Sequence, residues 1–318
     1  MNKKVVVLGG GTGMSNLLRG LKQYPLDITA IVTVCDDGQS TGILREEFNI
    51  PAVGDIRRVL VALSETEPLV MELFNYRFKT TSDLDGHAVG NLLLTAASEI
   101  SGNLSDGIEA LSKVLNLKGK VVPLTEDNVV LMAEMIDGSI IEGEHTITKD
   151  KRQIKKVFYK EKAIATKEAL DAIRDADLIV FSMGSLFTSI IPNLLIPEIV
   201  TEIENSNAKL MYVCNMMTQP GETDDYKVSD HVAKLNEYLG QRNIDIVLAN
   251  NGAIDEKMAK FYETQEQKDP VICDSEYFKD KNIEVIADDF TYVTSNNLLR
   301  HDNIKVGFHI FYYLMQKR

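Results

Sequence analysis

Three features of this 318-residue chain predict an α/β fold, a Rossmann-like, mostly parallel sheet flanked by helices, with a small β-rich excursion. An uninterrupted apolar run, Val5-Val6-Val7-Leu8, leads into Gly9-Gly10-Gly11-Thr12-Gly13 and then into helical periodicity. Strand and helix patterns alternate from Lys167 to Ala287. Between these regions, Asp137-Gly138 separates two apolar stretches as a hairpin turn does. Short apolar strands alternating with helices are the pattern of a buried parallel sheet. Strand, glycine turn, helix and strand form the opening of a doubly wound fold.

The elements follow in order. Helix from the glycine loop runs to about Gln23, and Ile28 to Val34 is the second strand. Residues from about Asp55 to Leu115 read as helical, with Val89, Leu92, Leu93, Ala96 and Ile100 sharing one face at 3.6-residue spacing. Val129 to Ile136 and Ser139 to Ile141 form a hairpin whose Asp137-Gly138 pair suits a type I′ turn. The charged stretch Glu142 to Lys162 completes the excursion. Helices are then expected at 167–176, 198–205, 230–239 and 255–263, with strands at 178–181, 210–213, 244–249 and 283–287. Ile304, Phe308, Phe311, Tyr312 and Met315 form an amphipathic stripe in a terminal helix. This divides the chain into a glycine-loop half (1–118), a β-rich charged excursion (119–162) and a second α/β half (163–318) that completes a crevice.

Composition narrows the function. With 34 Lys+Arg against 47 Asp+Glu, the formal charge is −13. Nucleic-acid and membrane-surface binders need a basic footprint, so neither is expected. A hydrophobic share of 44% with 25% charged residues is that of a globular chain. There is no Trp, which disfavours an aromatic-lined carbohydrate groove. Cys35, Cys214 and Cys273 form no CxxC pair, and Cys35 and Cys214 end apolar runs as buried small hydrophobes. No run approaches the roughly 18 apolar residues of a membrane span, and no signal peptide is evident, so a cytoplasmic protein is expected.

The candidate site residues cluster at predicted strand ends. Gly10, Gly11, Thr12 and Gly13 offer amides and a positive helix end to a phosphate or ribose. The dinucleotide fingerprint is incomplete, because Met14 stands where Gly or Ala is needed, and no Walker A loop exists. Asp36-Asp37-Gly38-Gln39-Ser40-Thr41-Gly42 ends the second strand, where Asp36 and Asp37 suit a ribose contact, a Mg²⁺ ion or a general base. Asp55 and Arg57 open the next helix, where a basic residue is unfavourable unless an anion binds. His87 and Asn91 start another helix. Gly184, Ser185 and Thr188 make a second glycine-hydroxyl loop, and Asn215, Thr218, Gln219 and Asn250 lie on later strand-end loops. In this fold such loops converge on one crevice.

Together these segments resemble the CofD-like superfamily, and within it the gluconeogenesis-factor (YvcK-type) branch. The match runs through Gly9-Gly10-Gly11-Thr12-Gly13, Asp36-Asp37-Gly38-x-Ser40-x-Gly42, Gly54-Asp55-Ile56-Arg57, Gly86-His87-x-x-Gly90-Asn91, Gly184-Ser185-Leu186-Phe187-Thr188-Ser189 and Met217-Thr218-Gln219-Pro220-Gly221-Glu222-Thr223. Two departures stand out. Ser182-Met183 replaces Gly-Pro before Gly184-Ser185, and Gln39 and Thr41 replace Gly and Ser. The resemblance implies a nucleotide-sugar (UDP-sugar) binding regulatory protein, associated with cell shape and growth on gluconeogenic carbon sources. The alternative it implies is a transferase moving a phospholactyl-type group from a nucleotide diphosphate adduct, with Asp36 and Asp37 catalytic on Mg²⁺. Its ligand is then a nucleotide-type small molecule: a UDP-sugar, or GDP or an NAD-like compound. Tyr262 is expected to stack on the base and Arg300 to pair with the diphosphate. A homo-oligomer is among the partners considered; nucleic acid and a membrane span are not.

Overall fold

The computed structural model describes residues 2–316. Its strands are β1 (Lys3–Gly9), β2 (Leu26–Val32), β3 (Lys120–Pro123), β4 (Leu131–Met135), β5 (Ile140–Glu142), β6 (Ile154–Tyr159), β7 (Leu178–Phe181), β8 (Lys209–Val213), β9 (Ile246–Asn250), β10 (Glu284–Asp288), β11 (Thr291–Val293) and β12 (Leu299–His301). Its helices are α1 (Gly11–Leu21), α2 (Gln39–Phe48), α3 (Gly54–Leu63), α4 (Pro68–Asn75), α5 (Val89–Ser101), α6 (Leu104–Val114), α7 (Glu144–Lys149), α8 (Lys167–Arg174), α9 (Pro197–Asn205), α10 (Val228–Asn236), α11 (Glu256–Glu266) and α12 (Asn303–Gln316).

The main sheet has seven strands in the order β10-β9-β8-β7-β1-β2-β3. Every neighbouring pair is parallel. Strands such as Val5–Leu8 and Leu178–Phe181 are buried on both faces, which is why they read as unbroken apolar runs. The order reverses at β1. From there the chain builds outward through β2 and β3, then returns to β7 on the other side. Loops leaving the carboxyl ends of β1 and β7 therefore flank one crevice at the switch point.

β4, β5 and β6 form a separate antiparallel sheet, the excursion expected from the sequence. One boundary and one turn differ from expectation. Residues 120–123 join the main sheet as its edge, because Val121 and Val122 pair with Ala30 and Ile31. The hairpin turn is also not type I′. Gly138 N–H donates to Met135 O at 3.0 Å and Met135 N–H to Ser139 O at 2.9 Å, closing a three-residue loop. Only Gly138 has positive φ, at 84°, so it takes the left-handed bulge position.

Both apolar stripes read from the helices lie mostly on the outer side, with Leu92 and Phe311 packed partly against the core. On α5 the buried residues are Gly90, Asn91, Leu94, Thr95 and Ser98, while Leu93 and Ile100 are exposed. Thr95 and Ser98 reach the interior by donating to the carbonyls of Asn91 and Leu94, one turn back. On α12 the buried residues are Val306, Gly307, Ile310, Tyr313 and Leu314. Ile304, Phe308, Tyr312 and Met315 are exposed, and Phe311 stacks on Tyr24. On α5 the inner face is mostly small residues that allow close helix approach, whereas α12 is apolar nearly all round, so its buried face, Val306, Ile310, Tyr313 and Leu314, could not be told from its outer one. No single helix among the described residues is long and apolar enough to cross a membrane.

Candidate functional site

Two adjoining hollows lie at the carboxyl ends of β1 and β7, and they share Gly11 and Ser189. The larger, about 460 Å³, is lined by Gly10, Gly11, Thr12, Gly13, Gly184, Ser185, Asn215, Thr218, Gln219, Tyr262 and Arg300 among others. The smaller, about 210 Å³, is lined by Gly11, Thr33, Cys35, Asp36, Asp55, Arg58, Glu144, Thr188 and Ser189. A third hollow of about 450 Å³, under the amino ends of β8 to β10, holds none of the motifs.

The larger hollow is built by mutual bracing of loops. A β-carbon at Gly13 would collide with the Met183 carbonyl oxygen, so only glycine lets the loops after β1 and β7 touch. Asn215 clamps the second loop, accepting from Gly184 N–H at 2.9 Å and donating to Gly184 O at 2.6 Å. Ser185 Oγ accepts from Thr188 N–H and Oγ1, and donates to the buried Glu222 at 2.5 Å. Burial raises the Glu222 carboxyl pKa; the Ser185 hydrogen bond opposes it. Thr218 pairs with Asp269 through both its N–H and its hydroxyl, and Gln219 N–H donates to Thr223. These side chains hold the walls, leaving backbone and a few free groups to face the cavity.

Tyr262 and Arg300 meet at the rim as one unit. Tyr262 is 3% exposed, and its hydroxyl accepts the Leu299 N–H at 2.9 Å. This fixes β12 beside the pocket. Arg300 is exposed and donates only to the Leu299 carbonyl, at 2.8 Å. Among the described residues no carboxylate pairs with it. His301 anchors the strand from the other side, its Nε2 donating to Cys214 O at 3.0 Å. Burial lowers the His301 pKa to about 4, so it stays neutral and holds position. Lys268, a second cation on the rim, pairs with Glu266 at 2.6 Å.

The smaller hollow is acidic. Asp55 accepts Gly11 N–H at 2.6 Å and pairs with Arg58 at 2.6 Å. It therefore takes the amide at the tip of the glycine loop. Burial raises its pKa, and Arg58 pulls it back. Glu144 arrives from α7 in the excursion, and burial followed by repulsion from Asp36 lifts its pKa to about 7. Asp37, by contrast, faces the excursion, accepting His145 N–H at 2.7 Å. The two adjacent aspartates thus separate, Asp36 to the hollow and Asp37 to the arm. Asp36, Asp55 and Glu144 are the oxygen donors a Mg²⁺ ion would find here. As they stand, no group of three or more His, Cys, Asp or Glu among the described residues is placed to hold a metal. A Mg²⁺ ion usually takes one or two carboxylates and completes its shell with ligand phosphate, and here Asp36, without Asp37, would be the one to hold it.

The remaining candidates lie elsewhere. Ser40, Arg57, His87 and Asn91 are buried together where α2, α3 and α5 begin. Asn250 lies outside both hollows and braces its own loop, donating to Gly252 O and accepting Phe290 N–H. Sequence reasoning missed Glu144, which sits in a charged arm without a motif, and Lys268, one surface lysine among many. Glu222 was visible within the Gln219-Pro220-Gly221-Glu222 segment but not as the brace of Ser185.

Comparison with known proteins matches residues 5–291 to the model of the 2-phospho-L-lactate transferase CofD family. A Bacillus subtilis protein named gluconeogenesis factor is 49% identical over 306 residues, covering 96% of each chain. A Thermotoga maritima protein named putative gluconeogenesis factor is 42% identical, covering 96% of this chain and 97% of its own. A crystal structure of a UPF0052-family protein from Bacillus halodurans superposes with a TM-score of 0.93 at 46% identity, covering 97% of this chain and 99% of that one.

Proposed function

The chain belongs to the 2-phospho-L-lactate transferase CofD family, and from that premise we propose that it binds a UDP-sugar as a regulatory gluconeogenesis factor acting in cell shape and growth on gluconeogenic carbon sources. The observation that carries this reading is Arg300, a cation without an acid partner on the rim of a 460 Å³ hollow whose far wall is the glycine loop. A diphosphate fits between such groups: the guanidinium meets it bidentately, and the amides of Thr12 and Gly13 at the start of α1 meet it from the other side. The name gluconeogenesis factor of the Bacillus subtilis relative supports the gluconeogenic part.

Titration calorimetry of the full chain with UDP-N-acetylglucosamine, GDP and NAD, each with and without Mg²⁺, tests the proposal. Mg²⁺-independent binding of the UDP-sugar without turnover is expected. GMP release from a guanosine diphosphate adduct in the presence of an acceptor would replace it with the transferase reading. One observation favours that second reading. Glu144, ionising at about 7, adjoins the nucleotide hollow and is poised for proton transfer near neutrality.

A further inference from the structure

Three helices begin at one point behind the acidic hollow, and they touch in pairs. Ser40 Oγ, in the first turn of α2, lies 3.0 Å from Nδ1 of His87, just ahead of α5. A β-carbon at Gly54, the first residue of α3, would lie 2.5 Å from Thr41 Oγ1 in α2. The Arg57 stem, in the first turn of α3, crosses Gly90 of α5, where a β-carbon would come within 2.8 Å of Cδ. None of the three helices carries a side-chain cap at this end. Their positive dipole ends therefore face one another; Thr41, Val89 and Asn91 N–H are taken by the Gly38, Tyr76 and Ala88 carbonyls, which leaves the N–H groups of Ser40, Ile56 and Gly90.

A buried cation occupies the same place. Arg57 is 5% exposed, its Nη1 donates to Asn75 Oδ1 at 2.6 Å, and its Nε has no partner. Among the described residues no carboxylate is hydrogen-bonded to it. Asp55 is committed to Arg58 and Gly11 N–H, and Asp36 Oδ1 accepts Gly38 N–H. Burial, then Arg58 and Arg77, press the Arg57 pKa down to about 10, and the nearby Asp55 and Asp36 only partly oppose them. Arg77 is exposed and donates to Gly86 O at 2.7 Å, on the solvent side of the group. Asn91, 1% exposed, also leaves its Oδ1 unpartnered. A basic residue at a helix start and a buried guanidinium nitrogen without an acceptor both raise the energy unless an anion is present.

We infer that Arg57, with Arg77, His87, Ser40 and the convergent starts of α2, α3 and α5, forms a second anion subsite that takes the phosphoryl group of a small phosphorylated metabolite. It shares no residue with the nucleotide hollow and does not rest on the UDP-sugar reading. Phosphate suits it better than carboxylate because three oxygens can accept from separate helix starts while one edge faces Arg57.

The probe is inorganic phosphate added to the full chain, followed by backbone amide shifts and calorimetry, with sulfate as competitor. Saturable shifts at Ser40, Ile56 and Gly90 are expected, separate from any at Thr12 and Gly13. Arg57→Gln should weaken phosphate at this subsite at least tenfold, while Lys113→Ala on the exposed face of α6 leaves it unchanged. Should Arg57→Gln not fold, the exposed Arg77→Ser variant should still weaken phosphate about threefold and flatten its salt dependence. Absence of saturable binding, shifts confined to Thr12 and Gly13, or equal affinity in the foldable arginine variants would overturn the inference.

Discussion

The two hollows that share Gly11 and Ser189 are opposites. One has loop amides, hydroxyls and the unpaired Arg300; the other has Asp36, Asp55 and Glu144 with Arg58 already paired. A protein of charge −13 can thus hold an anion by local sorting rather than net charge. Asp55 sets the division. By taking Gly11 N–H it closes the tip of the glycine loop to phosphate on the acidic side and leaves Thr12 and Gly13 to the other. Burial keeps Asp55 and Glu144 easier to protonate than free carboxyls, so the acidic hollow repels anions less at low pH than its composition implies.

The largest test of this contrast is Arg300→Ala. It should weaken UDP-N-acetylglucosamine binding by about 1.5–3 kcal/mol, measured by calorimetry, and unchanged affinity would remove Arg300 from the site. Next is Glu144→Gln. The folded pKa of Glu144, about 7, lies above its ordinary value of 4.5. Both states are protonated below 4.5, so the substitution should change nothing there. As pH rises from 4.5 to 7 the unfolded chain ionises first and the wild type loses stability, so the variant's advantage grows and then levels off above 7. Thermal unfolding across pH 4 to 8 should show a gain of a few degrees at the upper end; a gain constant with pH would refute the cause.

Tyr262→Phe leaves the ring but strands the buried Leu299 N–H. It should cost about 1 kcal/mol in denaturant unfolding and weaken the UDP-sugar a few-fold by loosening Arg300. Asp37→Ala should speed amide exchange at His145 and leave UDP-sugar affinity intact, because Asp37 serves the arm and not the hollow. The smallest expected effect is Gln39→Gly. Gln39 holds a φ of 41° at a position where the related motif has glycine. Relief of that strain, partly offset by the freer unfolded chain, should add about 0.5 kcal/mol by urea unfolding.

The sequence made the sheet legible because strands such as Val5–Leu8 and Leu178–Phe181 are buried on both faces and permit little else. It also marked the glycine loop, the Ser185 loop and the Gln219 segment, since glycine and hydroxyl runs at strand ends have a backbone cause. Helix faces were not legible. On α5 the inward residues include Gly90, Thr95 and Ser98, which allow close approach, and α12 is apolar on both faces, so apolarity alone could not select the buried side. Motif spacing also could not separate neighbours. Asp36 and Asp37 are adjacent in sequence yet serve different structures, and Glu144 enters from an arm that carries no motif.

The claim that one hollow receives the diphosphate and the other repels it is met most directly by a crystal structure of the full chain with UDP-N-acetylglucosamine. The account predicts the diphosphate between Arg300 and the Thr12 and Gly13 amides, with Asp36, Asp55 and Glu144 out of contact. A diphosphate lying between Asp36 and Asp55, bridged by a metal ion, would contradict it.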